Sequence, residues 1–198
     1  KLKLNYVIVL EEKDFVTVNA IEKFKSRIIF QKNKGYGDAI LLGLQNVKTK
    51  YFSIFNADGS FDPYEIDKMY KKINDNNLDI LFASRYTKDA SSEDDTILTY
   101  IGNKIFTLLG KIFFSLPISD ILYTFVLGET SKISNLNLQA KDFSLCVELP
   151  IIAKKNNLRM ADISSNEKSR IGGVKKVNEI RDGFLILLHM IKIFFKKN

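Results

Sequence analysis

The stretch Tyr51–Ser60 reads Tyr-Phe-Ser-Ile-Phe-Asn-Ala-Asp-Gly-Ser and is the segment that says most about the fold. It begins as an apolar, β-prone run and ends in two oxygen-bearing side chains, Asn56 and Asp58, followed by a glycine. Alternate residues of a strand point the same way, so both side chains can face one ligand beyond the strand's end. Their oxygens suit a hard divalent cation such as Mg²⁺ or Mn²⁺, which is usually shared with a phosphate. The alternative is a turn in which Asp58 only satisfies nearby backbone amides.

The composition of the chain favours one globular domain with anionic partners. Its 198 residues are 45% apolar and include only 3 prolines, which is enough to bury a core. The formal charge of +7 suits phosphates or anionic lipid heads. We expect no nucleic-acid partner, because the lysines are scattered and no nucleic-acid-binding motif is recognisable.

Cysteine and histidine usage narrows the chemistry further. The single Cys146 excludes an internal disulfide and indicates a reducing compartment, so we expect a cytoplasmic protein. With one histidine, His189, inside an apolar run, zinc sites and Ser-His-Asp catalysis are disfavoured and a structural role for the imidazole is expected. No apolar run approaches the roughly 20 residues that cross a bilayer.

Strand-like and helix-like segments alternate along the chain, which predicts an α/β fold with a largely parallel sheet. The expected strands cover residues 6–10, 27–31, 51–55, 78–83, 125–127 and 160–163. The expected helices cover residues 16–24, 37–45, 63–73, 96–114, 143–155 and 179–197. Residues 87–95 and 164–177 are predicted to be loops. We therefore expect an α/β domain over residues 1–178 and a C-terminal amphipathic helix over 179–198, packed on the domain or on a membrane surface.

Two of the expected helices are apolar around most of their circumference. Their narrow polar stripes comprise Thr99, Asn103, Thr107 and Lys111 in one helix, and Asp182, His189, Lys192 and Lys196 in the other. A helix that covers one core needs an apolar arc of only about 100°. These helices are therefore either deeply buried or rest on a membrane surface or another subunit. The terminal Lys196-Lys197 pair favours the membrane interface.

Two loops carry features that suit phosphate binding. Asn33–Ala39 lies between a strand and a helix, and its Gly35 and Gly37 permit close backbone approach beside a helix N-terminus that attracts anions. The spacing fits neither the P-loop nor the Rossmann fingerprint, and an ordinary turn is the alternative. Residues 170–176 form the densest basic loop, with Arg170 and Lys175 able to fold over a pyrophosphate; a solvated loop is the alternative.

Three further charged residues are candidates for the site. Arg85 closes the fourth strand, so we expect it near Asp58, where it can fork onto a phosphate or pair with the carboxylate. The alternative is a surface arginine. Glu148 has apolar neighbours, which predicts a carboxylate that is paired, raised in pKa or directed at a ligand. Asp120 follows the long helix and suits either a cap or an acceptor-site carboxylate.

Taken in order, these segments resemble family 2 glycosyltransferases, and among them the polyprenyl-phosphate sugar synthases such as dolichyl-phosphate mannose synthase. The segments that carry the resemblance are Glu11-Glu12, Asn33–Ala39 with Gly43, Asn56–Asp58 with Pro63, Ser84-Arg85, Ser119-Asp120, Phe143 with Glu148, and Arg170 with Gly173 and Lys175. The resemblance covers almost the whole chain, and its specificity comes from the joint order and spacing of these segments.

The resemblance implies a GT-A fold, a nucleotide-sugar donor and inverting transfer assisted by Mg²⁺ or Mn²⁺. It implies that Asn56 and Asp58 hold the metal. It also implies that the donor is bound by Glu11, Glu12, Asn33, Gly35, Gly37, Arg85, Arg170 and Lys175. The implied acceptor is a polyprenyl phosphate or a cell-surface glycan precursor. A lipid phosphate needs no general base, whereas a sugar hydroxyl needs a carboxylate such as Asp120 or Glu148.

Three departures from the family pattern shape these expectations. The family opens with a strand that ends in Pro-x-x-Asn-Glu, and nothing before Tyr6 matches it, so we expect a sheet without its first strand. Asn56 stands in place of a metal carboxylate, and Glu11-Glu12 in place of the commoner Asp-Asp. A non-catalytic interaction module is the alternative function. We expect peripheral contact with the cytoplasmic face of a membrane, and a homo-oligomer is left open.

Overall fold

The computed structural model describes residues 2–24, 26–173 and 176–196. The strands are β1 (Val7–Glu11), β2 (Arg27–Gln31), β3 (Tyr51–Ile54), β4 (Ile80–Ser84), β5 (Ser91–Ser92), β6 (Val126–Glu129), β7 (Met160–Ser164) and β8 (Asn166–Glu167). The helices are α1 (Phe15–Ile21), α2 (Tyr36–Gln45), α3 (Glu65–Asp75), α4 (Ile97–Phe114), α5 (Thr130–Ser134), α6 (Leu145–Lys155) and α7 (Glu179–Phe195), with a 3₁₀ turn at Glu22–Phe24. Lys175, one of the predicted donor-binding residues, lies outside the described residues.

The strands of the described residues form three sheets. The central sheet has the order β3-β6-β4-β7, β1 pairs with β2, and β5 pairs with β8. β6 runs antiparallel to both β3 and β4, whereas the other three pairings are parallel. The predicted α/β fold with flanking helices is confirmed, and its sheet is partly parallel rather than largely so because β6 enters in the opposite direction.

The apolar core lies on both faces of the central sheet. In β4, Ile80 and Phe82 belong to one buried cluster, and Leu81 and Ala83 belong to a second cluster on the opposite face. This division follows from the two-residue alternation of a strand. Helices α6 and α7 contribute apolar residues to the first cluster, and α3 contributes to the second. Because β4 is covered on both sides, its sequence is continuously apolar up to Ser84.

The β1–β2 pair is attached to the rest of the domain through α2. This helix contacts both strands, and it also contacts α5 and α6 beside the central sheet. The apolar residues Val7–Leu10 are only partly buried, in contrast to the fully buried β4. The expectation of a missing first strand stays a prediction, and the pair forms a separate sheet among the described residues.

Two short strands connect the two segments that were predicted to be loops. β5 lies within residues 87–95 and pairs in parallel with β8, which lies within residues 164–177. Glu93 N donates to Glu167 O at 3.0 Å, and this bond extends the pairing. The two loops therefore form one layer beside the end of β4.

Helix α4 buries polar residues and exposes apolar ones, which is the reverse of the usual surface helix. Its buried residues are Asn103, Thr107 and Gly110, while most of its isoleucines, leucines and phenylalanines are exposed. By length and composition this helix is long and apolar enough to cross a membrane, which corrects the expectation that no segment of the chain reaches that length. About 17% of it is buried within the described structure.

Candidate active site

The predicted metal motif lies in a tight turn directly after β3. Asp58 Oδ1 accepts hydrogen bonds from the backbone N and the Oγ of Ser60, at 3.1 and 2.7 Å. The turn interpretation therefore accounts for one carboxylate oxygen. Among the described residues no hydrogen bond to the second oxygen, Oδ2, occurs, so it is the part of Asp58 that can meet a ligand.

Tyr36 joins the predicted phosphate loop to this motif. Its hydroxyl donates to Asn56 Oδ1 at 3.4 Å and lies 2.5 Å from Thr124 Oγ1, and its ring stacks on Phe143 with centroids 4.9 Å apart. Burial raises the pKa of the Tyr36 phenol, and the nearby charge of Asp58 adds to this effect. The phenol is therefore a neutral donor beside the motif. The sequence analysis did not predict a role for Tyr36, although it lies between Gly35 and Gly37.

The basic loop lies directly over the metal motif. Ile171 N donates to Asp58 O at 2.8 Å, and Lys168 N donates to Ser60 O at 2.9 Å. A Cβ added to Gly59, which has φ +89°, would lie 2.7 Å from Cγ1 of Ile171. The described part of the loop therefore follows the backbone of the motif, and its folding over a pyrophosphate stays a prediction.

Arg170 is held in this loop by an acidic partner. Its Nη2 donates to Asp94 Oδ2 at 2.6 Å and its Nε donates to Asp94 Oδ1 at 3.3 Å. The hydrogen bond with Asp94 raises the pKa of Arg170, and the charges of Asp94, Asp58 and Glu167 add to it. Arg170 thus lies close enough to Asp58 for the two charges to interact, while its guanidinium is paired with Asp94 of the neighbouring loop.

Arg85 is largely buried and pairs with carboxylates other than Asp58, which corrects both the predicted pair with Asp58 and the surface alternative. Its Nε and Nη2 donate to Asp120 at 2.8 and 3.0 Å, and its Nη1 donates to Asp95 and to Glu167 at 3.2 Å each. The guanidinium also lies 4.6 Å from the ring centroid of Tyr123. All three nitrogens are engaged and the side chain is 10% exposed. Arg85 therefore holds these segments in position in the structure, and its contact with a donor phosphate stays a prediction.

Asp120 is likewise unsuited to the predicted role of a general base. Its side chain is fully buried, and its two oxygens accept from Arg85 N, Nε and Nη2 and from Asn103 Nδ2. A base needs an oxygen that can reach the proton it removes. With both oxygens engaged, Asp120 fixes the end of β4 against α4 instead.

Glu148 is a structural anchor in this geometry, which corrects its assignment as a catalytic carboxylate. Its Oε2 accepts from the backbone N of Gln139 and Ala140 at 2.9 and 2.7 Å, and its Oε1 lies 3.3 Å from His189 Nε2. Burial raises the pKa of Glu148, but the adjacent His189 imidazole and the two backbone amides outweigh it, so the pKa is lowered. Glu148 therefore joins α6, α7 and the loop before α6, and His189 has the predicted structural role.

The glycines of the Asn33–Ala39 loop are needed for packing within the protein. Cβ atoms at Gly35 and Gly37 would collide with the backbone oxygens of Lys141 and Ala140, and Asp38 N donates to Lys141 O at 2.9 Å. The close approach that the sequence predicted is real, but its partner is the chain before α6. Phosphate binding by this loop stays a prediction.

The other predicted donor residues are accessible. Glu11 and Glu12 are exposed at the carboxyl end of β1, and Asn33 is exposed beyond β2. Asn33 lines a cleft of about 520 Å³ together with Lys32 and Lys141. Their contact with a nucleotide stays a prediction.

The residues of the turn fit a divalent ion that is shared with a ligand. Among the described residues there is no cluster of three or more His, Cys, Asp or Glu side chains that could enclose a metal. Mg²⁺ is usually bound by one or two carboxylates together with phosphates and water. Asp58 Oδ2 and Asn56 Oδ1 supply two oxygens of the right chemistry on one turn, so the donor set fits an ion completed by a diphosphate.

Comparison with known proteins identifies the family. Residues 6–135, more than half of the chain, match the profile of Glycosyl transferase family 2. The chain belongs to this family. The match includes Asn33–Ala39, the metal motif and Asp120.

Two curated relatives are archaeal. An uncharacterised protein of Methanocaldococcus jannaschii is 23% identical over 95% of this chain and 81% of its own length. The UDP-N-acetylglucosamine–dolichyl-phosphate N-acetylglucosaminyltransferase of Methanococcus voltae is 25% identical over 67% of this chain, which spans only 55% of that protein.

Solved structures support the fold. A mycobacterial protein superposes with a TM-score of 0.77 at 9% identity, covering 98% of this chain and 65% of that one. Glucosyl-3-phosphoglycerate synthase of Mycobacterium tuberculosis, crystallised with Mn²⁺, uridine diphosphate and phosphoglyceric acid, superposes with a TM-score of 0.74 at 11% identity, covering 98% of this chain and 69% of that one. At these identities the likeness establishes the GT-A fold alone.

Proposed function

We propose that this chain carries the donor-binding machinery of a glycosyltransferase that transfers a sugar from a nucleotide-sugar donor. Support comes from family membership, from the partly exposed Asp58 on the turn after β3, and from the basic loop bonded to the backbone of that turn. Asp58 is the observation that carries the proposal, because among the described residues only its Oδ1 is hydrogen-bonded and its Oδ2 remains for a ligand.

The residues of the turn would hold Mg²⁺ or Mn²⁺ on the donor diphosphate. Asp58 and Asn56 would bind the ion, and Tyr36 would orient the Asn56 amide through the hydroxyl bond at 3.4 Å. The ion, when bound, would supply Lewis-acid stabilisation of the departing nucleoside diphosphate. Arg170 would neutralise the same charge after exchanging Asp94 for phosphate oxygens, which have the geometry that a guanidinium binds well.

The geometry favours a lipid-phosphate acceptor over a sugar hydroxyl. A phosphate oxygen is already an anion, so inverting attack on the anomeric carbon needs no general base. Asp120 and Glu148, the two carboxylates considered for a base, are both buried and hydrogen-bonded. The relative from Methanococcus voltae acts on dolichyl phosphate by its name, and this agrees with the proposed acceptor class.

The test is sugar transfer to phosphopolyprenol from a panel of UDP- and GDP-sugars, with Mn²⁺, with Mg²⁺ and with a chelator. Asp58→Asn should lower kcat/KM by on the order of 100-fold, because it removes the carboxylate that binds the ion. Asp67→Asn is the matched control, since Asp67 is an exposed carboxylate in the first turn of α3. Equal turnover by the two variants would remove the proposed role of Asp58.

A non-catalytic module is the second candidate, and one observation favours it. Asn56 supplies a neutral oxygen where the family pattern has a carboxylate, which weakens the hold on a cation. Titration calorimetry of UDP with and without Mn²⁺ separates the candidates. The transferase requires metal-dependent binding that Asp58→Asn abolishes, whereas the module requires none.

A further inference from the structure

Helix α4 presents an apolar stripe to solvent and buries the middle of its polar stripe, Asn103 and Thr107, against the protein. Ile101, Ile105, Leu108 and Ile112 recur at positions i, i+4, i+7 and i+11, so they lie on one face, and each is between 49% and 62% exposed. The opposite face carries Asn103 and Thr107, which are 1% and 6% exposed.

The inward polar stripe is fixed by specific hydrogen bonds. Asn103 Nδ2 donates to Asp120 Oδ1 at 2.5 Å, and Thr107 Oγ1 accepts from Ile121 N at 3.2 Å. A rotation of α4 that buried the isoleucines would break both bonds and leave Asp120 with one fewer donor. The outward direction of the apolar stripe is therefore built into the fold.

Helix α7 repeats the arrangement beside α4. Its exposed stripe, Phe184, Leu188, Ile191 and Phe195, has the same i, i+4, i+7, i+11 spacing and is between 45% and 75% exposed. Its other face is also apolar and lies in the core. Phe106 of α4 approaches Gly183, and the rings of Phe113 and Phe194 are 5.5 Å apart. The helices therefore run side by side in the same direction, and the two stripes together form what we call the α4/α7 surface.

The charges around this surface are almost all positive. Its exposed cations are Lys104, Lys111, Arg181, Lys192 and Lys196. Residues 97–114 contain no acidic residue. Of the two in α7, Glu179 is half-buried at the first position, and Asp182 is buried and accepts a hydrogen bond from Asn178 N. Exposed phenylalanines and lysines share the C-terminal ends of both helices. An apolar face with cationic borders and aromatic ends is typical of helices that lie in a membrane interface.

We infer that the α4/α7 surface docks on the headgroup and upper acyl region of an anionic lipid bilayer. The charges favour this occupant over a second copy of the chain, because a two-fold contact through the surface would bring its lysines toward one another. The inward hydrogen bonds of Asn103 and Thr107 favour an interfacial helix over a spanning one, since a span would draw α4 away from Asp120. The inference goes beyond the proposed function and does not depend on it.

Vesicle flotation of the full chain tests the inference, using phosphatidylcholine alone and phosphatidylcholine with an equal amount of phosphatidylglycerol. We expect binding to the anionic vesicles that weakens at high salt. Ile105→Glu and Leu188→Glu should each lower the partition coefficient at least about tenfold, since each places a charge in the apolar stripe. Val16→Glu is the matched control, because Val16 is 82% exposed on α1 and lies outside the surface.

A double variant tests the role of the positive charges and leaves the apolar stripe unchanged. Lys111→Gln combined with Lys192→Gln should reduce the preference for phosphatidylglycerol, and circular dichroism should show unchanged folding. Equal partition of Ile105→Glu and Val16→Glu, or no binding to either vesicle, overturns the inference. Self-association in sedimentation equilibrium that Ile105→Glu abolishes, without vesicle binding, would assign the surface to a second copy. The vesicles contain neither a sugar donor nor an acceptor. Their binding of the protein is therefore measured independently of whether the protein transfers a sugar.

Discussion

Arg85 and Asp120 form a two-point ion pair, in which the guanidinium Nε and Nη2 donate to the two carboxylate oxygens at 2.8 and 3.0 Å. The pair joins the end of β4 to the segment after α4. Asn103 extends it into α4, and Asp95 and Glu167 extend it into the loops that contain β5 and β8. One arginine therefore sets the relative positions of the end of β4, helix α4 and the loops of β5 and β8.

Asp120→Asn should destabilise the fold strongly. The substitution keeps the shape but leaves the buried guanidinium of Arg85 without its two-point partner, and breaking a buried ion pair costs about 3 kcal/mol or more. Urea unfolding measures the change. Arg181→Lys is the control, because Arg181 is 74% exposed in its pair with Asp182 and such pairs contribute about 1 kcal/mol or less. Similar losses in the two variants would contradict the central role of Arg85 and Asp120.

The stability of the domain should fall at acidic pH partly through Glu148. The pKa of Glu148 is lowered in the folded state from its ordinary value of 4.5, so the unfolded chain binds the proton more readily. Its contribution is present above pH 4.5 and is lost as the pH falls through the lower, folded pKa. Urea unfolding between pH 3 and pH 7, compared for the native chain and Glu148→Gln, measures this slope. The variant should be less stable at pH 7 and less sensitive to acid; an unchanged acid slope would show that Glu148 has no such role.

The packing of α2 against the chain before α6 can be tested through a glycine. Gly37→Ala should destabilise the domain by about 2 kcal/mol, since the new Cβ meets the backbone oxygen of Ala140 and overpacking costs about 1–3 kcal/mol. Gly102→Ala is a control of opposite sign, because no heavy atom lies within 4 Å of its added Cβ and alanine favours a helix by about 1 kcal/mol. Thermal unfolding should therefore shift the two midpoints in opposite directions. A shift of Gly37→Ala upward would contradict the close contact.

The parts of the fold that depend on local pattern were predictable from the sequence. Strand β2 was predicted with its observed bounds, Arg27–Gln31, and α4 ends at Phe114 as predicted, beginning one residue later at Ile97 after the Thr96 cap. Strands β5 and β8 were missed because two-residue pairings between distant loops leave no periodic signal.

The roles in the site were harder to predict because they depend on partners far apart in the chain. Arg85 was placed correctly at the end of β4, but its three carboxylates come from positions 95, 120 and 167. Gly35 and Gly37 signalled a close approach without identifying residues 140–142 as the partner. The positions of these residues at the ends of elements were therefore predictable from the local sequence. Their roles depend on contacts with distant residues, which only the folded structure shows.

The pairing of Arg170 with Asp94 makes a prediction about donor binding. If Arg170 exchanges Asp94 for the donor's phosphates, Arg170→Ala should raise the Kd of UDP in the presence of Mn²⁺ by about tenfold, since a charge-assisted hydrogen bond contributes about 1.5–3 kcal/mol. Arg159→Ala is the control, because Arg159 makes a comparable ion pair with Asp79 at 2.9 Å at the opposite end of β4. Titration calorimetry of both variants measures the effect. Equal affinity in the native chain and Arg170→Ala would show that the arginine only fastens the two loops together.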